Sequence, residues 1–86
     1  MSVNEFVGGC GLGNWKAVEV RRTVAEAELP IYRVADNLTY PMQTIATFEG
    51  PDAAINCHGF VKHRYADTGE TQLSALLDKI CLYDRW

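Results

Sequence analysis

A chain of 86 residues has room for one domain around one hydrophobic core. Its 48% hydrophobic and 22% charged content excludes a disordered tail. A net charge of −3, with acids and bases interspersed, argues against a dedicated nucleic-acid binder, which needs a basic surface to release counterions.

No run approaches the ~20 apolar residues of a membrane span. Met1 is followed by Ser2, Val3, Asn4 and Glu5, not by a basic region and an apolar stretch, so export is not expected. Cys10, Cys57 and Cys81 are odd in number and far apart, which predicts reduced thiols and a cytoplasmic protein.

Residues 1–14 read as a flexible, glycine-rich segment. Gly8, Gly9, Gly11 and Gly13 alternate with Cys10 and Leu12, a composition that disfavours helix and packed strand alike. From Trp15 to Val24, Val18, Val20 and Val24 alternate with polar residues and favour a strand. The same stretch runs into Ala25-Glu26-Ala27-Glu28 and Pro30, so a helix over Trp15–Leu29 is the alternative.

Strands are predicted at about 29–35, on Ile31, Tyr32 and Val34, and at 43–48, on Thr44, Ile45, Thr47 and Phe48. Asp36-Asn37 marks a turn between them.

A helix is predicted over 51–65, with Pro51 in its first turn and Lys62, His63 and Arg64 in its last, where they complement the dipole. Ala53, Ala54, Cys57, Phe60, Val61 and Tyr65 form one apolar stripe. A second helix runs from about 70 to 83, with Leu73, Leu76, Leu77, Ile80 and Cys81 inward and Thr68 or Thr71 as its cap. The expected fold class is α+β: a three-stranded antiparallel sheet with two helices on one face, in the order β-β-β-α-α. The order α-β-β-α-α applies if Trp15–Leu29 is helical. Residues 1–86 form a single domain.

The candidate chemistry is sparse. Gly9-Cys10-Gly11-Leu12-Gly13 lacks the preceding strand of a dinucleotide fingerprint and the Lys-Ser/Thr of a P-loop. His58 and His63 have the sequence spacing of a zinc pair. Five positions along a helix, however, rotate them about 140° apart. No metal, cofactor or disulfide is therefore expected. Cys10 would serve a thiol-dependent enzyme only if a base lay beside it.

Arg21, Arg22 and Arg33, with Trp15 and Tyr32 nearby in sequence, define an alternative, a nucleic-acid-binding module. Interleaved Glu19, Glu26 and Glu28 suit ordinary cross-strand ion pairs as well.

The leading expectation is a non-enzymatic protein-binding domain. Its size and lack of a pocket have the profile of the small inhibitors of larger complexes that phages and mobile elements encode. Tyr83, Arg85 and Trp86, then Arg21, Arg33 and Tyr32, are the candidate contacts, because Trp, Tyr and Arg dominate binding hot spots. Trp86 either anchors a partner or folds back on Leu82. A homodimer is a further expectation, through an uncovered strand edge.

Overall fold

The computed structural model describes residues 2–67 and 70–83, the side chains of residues 70, 71 and 83 excepted. Four strands come first, β1 (Ser2–Gly13), β2 (Lys16–Ala25), β3 (Ile31–Asp36) and β4 (Gln43–Phe48). Two helices follow, α1 (Ala53–Arg64) and α2 (Glu70–Tyr83). The strands form one antiparallel sheet in sequence order, a meander.

The expected α+β class and both helices are therefore present, but the sheet has four strands where three were expected. The segment 1–14, read as a flexible loop, contains the longest strand of the sheet. Residues 16–25 are extended, which removes the helical alternative. Pro51 lies in the turn before α1, and the helix begins at Ala53.

The reason β1 tolerates its glycines lies in the layer above it. α2 packs on β1, while α1 packs on β3, β4 and α2. A Cβ at Gly8 would lie 2.9 Å from Lys79 Cδ and 3.1 Å from Leu76 Cδ1. The missing side chain thus lets α2 settle onto the strand. Backbone pairing with β2 from Ser2↔Ala25 to Gly13↔Lys16 supplies the order that side-chain packing would otherwise supply. A bulge between Phe6 and Gly8 accommodates one extra residue, Val7, which is buried in the core.

The two faces of the sheet differ, as the period of two requires. Val18 and Val20 of β2 and Tyr32 and Val34 of β3 are fully buried beneath the helices. They meet Ala53, Ala54, Cys57, Val61 and Tyr65 of the α1 region and Leu73, Leu76 and Ile80 of α2 in one cluster. The apolar stripes read from both helices are thus the inward faces. Burial pushes the Cys57 thiol up to about 12. The opposite face, carrying Phe6, Ala17, Glu19, Arg21, Thr23, Arg33 and Ala35, has neither of the two described helices over it.

Among the described residues, one charged residue is buried as a whole. Asp36, only 2% exposed at the end of β3, accepts a hydrogen bond from the Tyr65 hydroxyl at 2.5 Å and one from the Leu38 amide at 3.3 Å. Arg64 Nε lies 3.8 Å from the same carboxylate. Burial, and then the bond to Asp36, hold the Tyr65 phenol above its ordinary value. This cluster ties the end of α1 to the end of β3. It is satisfied as it stands, as a buried carboxylate must be.

Candidate functional site

In a meander, the β1–β2 turn and the β3–β4 loop lie at the same end of the sheet. Gly13↔Lys16 is the last pair of the first hairpin, so Asn14 and Trp15 form a two-residue turn. Both have positive φ, 48° and 68°, as a type I′ turn demands. Asn suits that conformation. Trp does not, because its Cβ crowds the following carbonyl. The indole nevertheless projects into solvent with 98% of its surface exposed.

This tip is held in place. Asn37, the first residue after β3, donates from Nδ2 to the Trp15 carbonyl at 3.1 Å. Its Oδ1 accepts from the Ala17 amide at 2.7 Å. Its own amide donates to the Ala17 carbonyl at 3.3 Å, and its carbonyl accepts from Lys16 Nζ at 3.3 Å. One asparagine thus fastens the strained turn to the neighbouring loop. That loop brings its own exposed apolar side chains, Leu38, Tyr40 (79% exposed) and Met42.

The open face of the sheet continues the surface. A shallow groove of about 410 Å³ is lined by Phe6, Gly9, Gly11, Ala17, Glu19 and Met42, among others. Phe6 is half exposed. The Arg21 guanidinium sits 5.4 Å from the centre of its ring, and Arg21 Nε pairs with Glu19 Oε1 at 3.2 Å. A cation over an aromatic face and an adjoining carboxylate give this region a mixed, amphipathic character. Trp15, Tyr40, Met42 and Phe6 are thus neighbours by topology, on two turns and the strand beside them.

The residues expected to matter distribute differently. Arg21 and Arg33 lie on the open face in register with Phe6, and Arg33 Nη1 donates to Thr23 Oγ1 at 2.7 Å. Arg22 points to the helix side, 3.9 Å from Glu5 and 5.9 Å from the Tyr32 ring centre. The three arginines therefore do not share a surface.

Tyr32, expected as a partner contact, is fully buried and belongs to the core. It alternates inward with Val34, whereas the neighbouring Arg33 alternates outward. Arg85 and Trp86 lie outside the described residues, and so does the Tyr83 side chain. Trp15 was read only as an aromatic near the arginines, and its place at the exposed tip of a hairpin was missed. The one local mark of that turn is Asn14, which tolerates positive φ; Asn-Trp is not a customary hairpin pair, and the glycine-rich reading of β1 hid the rest.

The chemical candidates fare as follows. Cys10 is half buried on the helix-side face, and burial raises its thiol, which opposes thiolate formation. Among the described residues, no group of three His, Cys, Asp or Glu is placed to hold a metal ion. No described helix is long and apolar enough to cross a membrane. Comparison with protein-family models, with curated proteins and with solved structures finds no match.

Proposed function

We propose that the chain is a non-enzymatic protein-binding domain that docks through the Trp15 end of its sheet. One observation carries this reading: a tryptophan stands fully exposed, in a backbone conformation that costs energy, on a turn fastened by Asn37. Folding alone gains nothing from this arrangement. An exposed indole buries no surface, and glycine would fit the turn better. A tryptophan held rigidly in solvent is ready to fill a partner's pocket with little further loss of freedom. Leu38, Tyr40 and Met42 form the surrounding apolar contact, and a domain of this size can inhibit a larger complex by covering one of its surfaces.

Affinity capture from the native host tests the reading. The wild-type chain retains a defined protein, the Trp15→Gly variant folds and loses it, and Ile55→Ala on the outside of α1 keeps it. Equal capture by the Trp15→Gly variant removes Trp15 from the site.

A second reading rests on the row Phe6, Arg21 and Arg33, which would support a single nucleic-acid strand by stacking and charge. It predicts a gel shift that collapses with salt and is lost in Arg21→Ala and Arg33→Ala variants. Glu19, bonded to Arg21 within the same face, opposes it.

A further inference from the structure

The exposed knob and the groove beside it lie at the same end of the molecule. We propose that two copies of this chain associate about a two-fold axis, each seating its Trp15 indole in the other's groove. The inference does not depend on the binding of a different protein, although the dimer and that complex would compete for the same Trp15 indole.

Three observations lead to a second copy as the occupant. The first is shape. The groove of about 410 Å³ is open and lined by Gly9, Gly11 and Ala17, with Phe6 and Met42 beside them. Residues with little or no side chain leave a flat surface on which an aromatic ring can stack, and the flanking apolar groups can cover its edges. A Cβ at Gly11 would lie 3.3 Å from Gln72 Oε1, tighter than an ordinary contact, so glycine here lets Gln72 close on the strand.

The second observation is charge. Lys16 follows Trp15, and among residues 13–17 and 37–42 it is the only charged residue. Glu19, whose Oε1 pairs with Arg21, lines the groove, and so does Lys79. When one indole enters the other copy's groove, Lys16 is carried toward that copy's Glu19. The same carboxylate offers an acceptor to the indole N–H, which can only donate. The chain's charge of −3 opposes both a phosphate backbone and an anionic bilayer as the occupant.

The third is symmetry. An isologous interface needs the knob and the hole on one surface, so that each contact is made twice. The β1–β2 turn and the upper open face meet that condition. The far edge of β1 is not needed for it. Gln72 Oε1 already accepts from the Gly11 amide at 3.0 Å and covers that edge locally, so strand-to-strand pairing through Gly11 is disfavoured.

Two indoles and their surroundings make a small interface, so association is weak, with half-dimerisation at about 10–100 µM. Sedimentation of the full chain from low to millimolar concentration measures it. The expected result is a monomer–dimer equilibrium that Trp15→Gly abolishes. Glu19→Lys weakens dimerisation at least tenfold, and the double variant Lys16→Glu with Glu19→Lys restores it to within about threefold of wild type.

In a Trp86→Phe background, Trp15 is the only tryptophan, and its emission shifts to the blue as dimer forms. A wild-type chain that stays monomeric throughout overturns the inference. So does dimerisation that survives Trp15→Gly, a charge swap that fails to restore association in a folded protein, or a blue shift that follows added phosphatidylglycerol vesicles instead of protein concentration. A monomeric chain that still captures another protein through Trp15 overturns the dimer alone.

Discussion

Replacing Trp15 with glycine should make the protein more stable, an unusual expectation for the loss of a tryptophan. Trp15 has φ of 68° in a turn whose other residue, Asn14, is also left-handed. That conformation costs a non-glycine residue about 1–2 kcal/mol. Glycine removes this strain but loses more freedom on folding, an offset of about 0.5–1 kcal/mol. The indole is 98% exposed, so no burial is forfeited. The net gain is about 0.5–1 kcal/mol, a rise of roughly 2–8 °C in Tm for a domain of this size. Trp15→Ala keeps the Cβ and therefore the strain, and should melt close to wild type. Thermal unfolding of the three proteins by circular dichroism separates these outcomes. A Trp15→Gly protein that melts at or below wild type would refute the reasoning, and so would an alanine variant that gains as much.

Other perturbations probe the scaffold. Asn37→Ala removes the side-chain bonds to Trp15 and Ala17 and should cost about 1–2 kcal/mol in denaturant unfolding, with faster amide exchange confined to the tip. Tyr65→Phe leaves the buried Asp36 carboxylate without its hydroxyl donor and should cost about 1–3 kcal/mol, measured the same way. Gly9→Ala sets a Cβ 2.9 Å from the Val18 carbonyl oxygen, a backbone atom that cannot swing aside, and should destabilise by about 1–3 kcal/mol, whereas glycine replacement at the exposed and open Gly59 by alanine should stabilise α1 by up to about 1 kcal/mol. For Cys57, the folded state retains the proton that the unfolded chain releases above the ordinary thiol value of 9.0, so stability falls as pH rises from there to about 12. Alkaline unfolding curves of wild type and Cys57→Ala should therefore converge over that window, and parallel curves would contradict the burial of this thiol.

Much of the fold was legible because its hydrophobic periods are strong. The stripe Ala53, Ala54, Cys57, Val61 and Tyr65 is the buried face of α1, and Leu73, Leu76 and Ile80 that of α2. The alternation of Val18 and Val20 identifies the inward face of β2; on β3 the strand was read but its inward face was not, since Tyr32, expected as a partner contact, is buried beside Val34. β1 was not legible because its inward positions include Gly8, where close packing of α2 replaces the side chain that would have signalled a strand. The same misreading hid the hairpin turn and with it Trp15. The pairing of Asp36 with Tyr65 joins residues 29 positions apart, and nothing in local pattern announces it. Arg21 and Arg33 share a face only through the β2–β3 register, which the sequence does not announce, and the aromatic beside Arg21 is Phe6 from the strand that the glycines concealed.

The central claim, that the Trp15 end is the docking surface for another protein, is tested most directly by site-specific crosslinking in the native host. A photoreactive p-benzoylphenylalanine is placed by Tyr40→p-benzoylphenylalanine, beside the tip, and separately by Ile55→p-benzoylphenylalanine, on the outside of α1. The account predicts one discrete crosslinked protein other than a second copy of the chain from position 40, none from position 55, and loss of the first product when Trp15→Gly is added. A discrete product from position 55 alone, or a product from position 40 that persists in the Trp15→Gly protein, would contradict it.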